Sequence, residues 1–162
     1  MRLRASHRFA APTARVCDGM GDPDFYAELR LPDIEPPEVV VRTVKGTRVD
    51  IHVRFTYTGK LDPIARRIIG HERVSWVQRL VIEPESRSCA LSVDPDVGVV
   101  PVTCSGTFTL HDTEGDRCLR TFEGDLRIRV PIIGSRAEKS LAPGIMRRLD
   151  LEAEALDRYI SR

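Results

Sequence analysis

One stretch constrains this chain more than any other: Gly124-Asp125-Leu126-Arg127-Ile128-Arg129-Val130-Pro131-Ile132-Ile133-Gly134-Ser135-Arg136-Ala137-Glu138, and the helical pattern that follows it to Ile160. Apolar and polar residues alternate as in a strand, and Pro131 and Gly134 break the pattern. Ser135, with Glu138 three residues on, then opens a helix. A long last strand running straight into a long terminal helix implies a curved sheet gripping that helix, with a cavity between them. An architecture of this kind is a container for an apolar molecule.

The 162 residues fit a single domain, 1–162, large enough to bury a core. Hydrophobic content of 41% beside 30% charged residues matches a soluble globular chain rather than a disordered one. A net charge of +1 makes no electrostatic case for nucleic acid or an anionic membrane as partner. No apolar run approaches the roughly 20 residues that cross a bilayer, so membrane insertion is not expected. Met1-Arg2-Leu3-Arg4 enters a strand at once, without a signal peptide, and a cytoplasmic location is expected. Cys17, Cys89, Cys104 and Cys118 lack C-x-x-C spacing and nearby metal-type histidines. They read as small buried side chains kept reduced, with a redox or metal role as the alternative.

Residues 2–10 form a strand with Leu3, Ala5, His7 and Phe9 on one face. Pro12 opens a short helix through Cys17, which Gly19 and Gly21 break, and Asp22-Pro23 opens another with Phe25 and Leu29 inward. A rigid loop, 31–37, leads to strands 39–44 and 48–57, the second with Val49, Ile51, Val53, Phe55 and Tyr57 on one face. A helix from Leu61 to Gly70 is bounded by Asp62-Pro63 and Gly70, with Ile64, Ala65, Ile68 and Ile69 apolar and Arg66 and Arg67 wet. Strands 74–83, 88–94, 99–110 and 118–130 follow, the last two joined at Thr113-Glu114-Gly115. Pairing Asp94 with Val99 sets Val93 against Val100, Leu91 against Val102 and Cys89 against Cys104, all on one apolar face, where a disulfide is geometrically possible.

The terminal helix carries a capping box, Ser135 and Glu138, and a buried stripe of Ala137, Leu141, Ile145, Leu149, Ala153, Leu156 and Ile160. Pro143-Gly144 interrupts it. An interior proline costs about 3 kcal/mol, so a kink or break is expected near Ala142, where it would shape one end of the cavity.

This order, together with His7-Arg8-Phe9, Ala11-Pro12, Asp22-Pro23-Asp24-Phe25-Tyr26 and Val130-Pro131-Ile132-Ile133-Gly134 with Glu138, resembles the SRPBCC superfamily. These are the helix-grip proteins, among them START lipid-transfer domains, birch-pollen-allergen-like proteins and bacterial polyketide cyclases. Within it the chain is most similar, nearly end to end, to an uncharacterised actinobacterial family. The resemblance implies an α+β helix-grip fold: a curved seven-stranded antiparallel sheet around a long C-terminal helix, with two short helices after the first strand. The short proline-rich segment after Tyr26 and Pro143-Gly144 depart from the family's pattern.

No phosphate-binding loop, H-E-x-x-H, G-x-S-x-G or acidic metal cluster appears, so no catalytic residue, cofactor or metal is assigned. Four polar residues alternate onto inward faces: His7, Thr43, Gln78 and Arg120. His7 reads as a structural histidine, or as a general base or ligand contact. Arg120, near a hairpin, is expected to reach solvent at the sheet's end, or to meet a ligand anion. Gln78 is the most central. Ile64 and Ile68 are placed as a lid over the cavity mouth, hinged at Gly59 and Gly70, with a plain packing helix as the alternative. His7, Gln78, Arg120, Ile64 and Ile68, with Phe55, Tyr57, Trp76, Leu141, Ile145 and Leu149, make up the candidate ligand site. The outward arginines Arg42, Arg48, Arg54, Arg79, Arg127 and Arg129 are interleaved with acids and read as cross-strand ion pairs.

Three functions compete. The first is a noncatalytic binder or carrier of a small apolar molecule such as a lipid, isoprenoid or polyketide-like compound. The second is a cyclase- or dehydratase-type enzyme using His7, Gln78 or Arg120 in the same cavity, and the third is a protein-interaction module. The chain is expected to be a monomer or homodimer.

Overall fold

The computed structural model describes residues 1–70, 73–96 and 102–162. Its strands are β1 (Arg2–Phe9), β2 (Glu38–Lys45), β3 (Arg48–Tyr57), β4 (Val74–Glu83), β5 (Ser88–Pro95), β6 (Val102–Thr113) and β7 (Arg117–Ile128). The helices are α1 (Thr13–Met20), α2 (Pro23–Glu28), α3 (Pro63–Ile69) and α4 (Gly134–Ile160). One seven-stranded antiparallel sheet runs β1-β7-β6-β5-β4-β3-β2. The chain leaves one edge at β1, crosses through α1 and α2 to the other edge at β2, and returns strand by strand to lie beside its own start. This is the helix-grip arrangement: α4 lies against the inner face of β1 and β7, with α1 and α3 packed on its flanks.

Period-2 alternation explains the inner face. Ile51, Val53 and Phe55 of β3, Leu80 and Ile82 of β4, Phe108 and Leu110 of β6 and Phe122 and Leu126 of β7 are all buried. The opposed pair Gly106 and Gly124 lies in the same set of rows. A Cβ on Gly106 would stand 2.5 Å from the Glu123 carbonyl oxygen and 2.6 Å from the Phe122 ring, so the backbones meet here too closely for any side chain.

Several expectations need correction. A β-bulge between Val39 and Val41 flips the side-chain alternation of β2. Thr43 therefore pairs with Asp50 on the outer face and is exposed, whereas Arg42 pairs with Ile51 and turns inward, donating from Nε to the Gly21 carbonyl at 2.8 Å. In the β5–β6 hairpin Val93 pairs with Cys104, Leu91 with Gly106 and Cys89 with Phe108. The register is displaced by four residues from the expected one, and because four is even every residue keeps its face. Cys89 and Cys104 are thus not opposed, and all four cysteines are buried free thiols. Expected pairs involving Val99 and Val100, and the first residues of the strand begun at 99, lie outside the described residues. β6 continues past Leu110 to Thr113.

Helix ends also differ. Pro12 is the N-cap of α1 rather than its first residue, and α1 continues through Gly19 to Met20. Gly19 is a contact residue: a Cβ there would come within 2.8 Å of both Leu156 and Ile160 side chains. The capping box at Ser135 is absent, since α4 starts two residues earlier than it predicts, at Gly134 with Ile133 as N-cap. Glu138 instead accepts the Ile128 backbone N–H at 2.9 Å, tying α4 to β7. The expected break at Ala142 is missing too, and α4 runs unbroken through Pro143. Pro143 forfeits one intrahelical bond, while the buried residues on both sides of it, Ala137, Ala142 and Leu149, hold the helix to the rest of the fold. By contrast, Asp22 and Asp62 cap α2 and α3 as their D-P motifs predict, and Gly70 ends α3 at φ +82°. The outer face carries the expected ion pairs, Arg79 with Asp50 and Arg48 with Glu83 among them.

Candidate ligand site

A polar network lies under the middle of α4. Arg148 of α4 donates to Glu152 Oε2 and to Gln78 Oε1, each at 2.6 Å, and Gln78 Nε2 reaches Glu152 Oε1 at 3.5 Å. These bonds fix the amide orientation of Gln78, because a guanidinium can only donate. The Arg148 guanidinium also lies 4.9 Å from the Phe55 ring centroid and 5.9 Å from that of Trp76, two rings stacked on each other. Further along the sheet, Arg120 sits between Phe9 and Phe108, at 5.0 and 4.4 Å from their centroids. Only 4% exposed, Arg120 does not reach solvent as expected. On β7 it is paired on both sides, with His7 of β1 and Leu110 of β6, and the Phe9 and Phe108 rings enclose its guanidinium.

Arg120 Nη2 donates to His7 Nδ1 at 3.3 Å, so Nδ1 is unprotonated and Nε2–H donates to Asp150 Oδ1 at 2.9 Å. Burial lowers the His7 pKa, Arg120 adds to that effect, and Asp150 opposes it. Burial also pulls down the pKa of Arg120, against the nearby Glu152 carboxylate. Arg120 Nε is buried and has no hydrogen-bond partner.

Beside this network is a cavity of about 360 Å³ between α3, α4 and the adjoining ends of β3 and β4. Its apolar wall comes from Leu31, Ile34, Trp76, Leu141, Ile145 and Leu151, and its inner polar wall from Arg148. Tyr57 and Lys60 lie between it and a shallower depression of about 600 Å³ on the other side of the β3–α3 connection. Among the described residues, no group of three or more His, Cys, Asp and Glu is placed to hold a metal ion.

Of the residues singled out from sequence, Tyr57, Trp76, Leu141 and Ile145 line this cavity. Phe55 lies behind Trp76, fully buried, and Gln78 is reached only through Arg148. Ile68 is buried and Ile64 half-buried, and neither faces the cavity; Leu61, Asp62 and Ala65 are the α3-side lining. Leu149 is in the core, while His7 and Arg120 pair with each other away from the cavity. Gly144 lines the cavity, and a Cβ there would meet nothing within 4 Å.

Sequence reasoning missed Arg148, Asp150 and Glu152. The signal was available for Glu152: Leu149, Glu152, Ala153 and Leu156 follow i, i+3, i+4, i+7, so Glu152 belongs to the buried stripe. Reading the stripe in steps of four passed over it.

A family model described as protein of unknown function (DUF2505) matches residues 4–160. The chain belongs to that family. No curated protein matches this DUF2505 chain. Solved structures resemble it closely in fold. The Zhui aromatase/cyclase from Streptomyces sp. R1128 is 18% identical with a TM-score of 0.67, covering 100% of this chain and 94% of its own. A START superfamily protein from Mycobacterium smegmatis is 16% identical, TM-score 0.62, covering 99% and 97%. Norcoclaurine synthase from Thalictrum flavum is 14% identical, TM-score 0.66, covering 100% and 87%. At such identities the likeness establishes the fold alone, the helix-grip arrangement described above.

Proposed function

We propose that this DUF2505 protein is a noncatalytic, cytoplasmic binder or carrier of a small apolar molecule, acting as one domain over 1–162 and as a monomer or homodimer. The observation that carries this reading is the cavity between α3 and α4. Its volume falls within the range of small-molecule sites, and apolar side chains line it together with a few polar and charged ones, Arg148 among them. No helix among the described residues is long and apolar enough to cross a membrane. Against the cyclase or dehydratase alternative, His7, Gln78 and Arg120 are engaged with Asp150, Glu152, Arg148 and one another rather than pointing at a shared reacting atom.

Trp76, the one tryptophan of the chain, lines the cavity and reports on its contents. The neutral fluorophore N-phenyl-1-naphthylamine is expected to take excitation energy from Trp76 on binding. Gly144→Phe, which projects a ring into the open space at that position, is expected to weaken this binding by about tenfold or more while the fold persists. Transfer that is absent from the wild type, or unchanged in Gly144→Phe, would refute the cavity as the binding site.

A further inference from the structure

We propose that the ligand is an amphipathic organic acid, its anionic oxygen held by Arg148 and its apolar body against Trp76, Leu141, Ile145 and Leu151. The proposal rests on the cavity reading above and names the class of molecule that the cavity takes.

The argument is one of charge balance in the interior. Among the described residues, the buried charged groups here are Arg120 (4% exposed), Glu152 (9%) and Arg148, whose side chain is 11% exposed. His7 adds no charge, because its Nδ1 accepts from Arg120. Asp150, whose side chain is 58% exposed, belongs to the surface. Two guanidiniums therefore share one carboxylate. Glu152 spends both of its oxygens on Arg148 and Gln78, while Arg120 Nε goes without a partner. Buried charge is tolerated when it is matched, and here one positive charge is left over.

The cavity is where that excess can be met. Arg148 is the one of the two arginines that lines it, and two hydrogen bonds engage only part of its five-donor fork. A carboxylate or similar oxyanion lying against the remaining N–H groups restores the balance, with the strength of a charge-assisted bond. The rim carries both signs, Lys60 and Arg147 beside Asp33 and Asp62. Lys60 and Arg147 line it and have no acidic partner among the described residues. Of the two acids there, Asp62 is engaged by the Ile64 and Ala65 amides and by Ser140. Arg148 thus supplies the donor for the oxyanion, and the apolar lining takes the rest of the molecule.

Two probes with one skeleton test this. 8-Anilinonaphthalene-1-sulfonate is N-phenyl-1-naphthylamine with an anionic group added. By energy transfer from Trp76, the sulfonate is expected to bind the wild type about tenfold tighter than the neutral probe. Arg148→Met is expected to abolish that preference, so that the two probes bind the variant with affinities within about twofold of each other. Arg148→Lys, which keeps a buried cation and serves where the methionine variant does not fold, is expected to lower the preference by about threefold or more. Equal affinity of the two probes for the wild type, or an undiminished preference in either variant, overturns the anion proposal and leaves the cavity reading standing. Binding of neither probe removes both.

Discussion

His7 is pinned between a cation that donates to one ring nitrogen and a carboxylate that accepts from the other. Burial and Arg120 together outweigh Asp150, so the folded-state pKa lies below the ordinary 6.5. The unfolded chain then binds the proton more tightly than the folded one, and stability rises with pH across that interval. The contribution is fully present above the unfolded pKa and is lost as the pH falls from about 6.5 toward the lowered value. In urea melts from about pH 8 down to pH 5, the wild type should lose stability more steeply than His7→Gln, which has no proton to gain. Parallel pH profiles for the two proteins would count against a neutral, buried His7. The chain showed that His7 faces inward, by its place between Ala5 and Phe9. It did not show the partners, which come from strand and helix positions 113 and 143 residues away.

The elements divide according to how local their causes are. The D-P starts of α2 and α3 were legible because a capping aspartate and a proline at the first turn act within four residues. Asp62 does more than cap. Its carboxyl accepts from Ile64 and Ala65 amides and from Ser140 of α4, and the Ser140 bond is the main reason its pKa is lowered. Asp62→Ala should cost about 0.5–2 kcal/mol. The loss should be local, with amide exchange of Ile64–Ile68 accelerating while β3 and β4 stay protected. Uniform acceleration over the whole protein would mean that Asp62 does not hold α3 as a separate unit. The capping box of α4 misled for the opposite reason. Glu138 found a better acceptor role with the β7 backbone, a partner that no helix-local pattern contains. The bulge at β2 is a third case, a single extra residue that exchanged the environments of Arg42 and Thr43.

At the scale of the molecule, the curved sheet sets the space in which α4 and the cavity lie, and the facing glycines Gly106 and Gly124 leave no room for a side chain between β6 and β7. Gly106→Ala should destabilise the protein by about 1–3 kcal/mol in urea melts, because the new methyl meets backbone oxygen as well as the Phe122 ring. A variant as stable as the wild type would show that the neighbouring groups can give way to the methyl. The amino-acid sequence alone determined the element order, the inward face of nearly every strand and the apolar stripe of α4. Periods of 2 and 3.6 residues are local properties, and even the four-residue slip of the β5–β6 pairing left them intact. Only the tertiary structure decided which inward residues meet. It set Trp76, Leu141 and Ile145 around open space, buried Arg120 away from solvent, and joined Arg148 and Glu152 to Gln78 across 70 and 74 residues of chain. Pairing at such separations depends on how the sheet bends and where the helix lands, and no short stretch of residues encodes either.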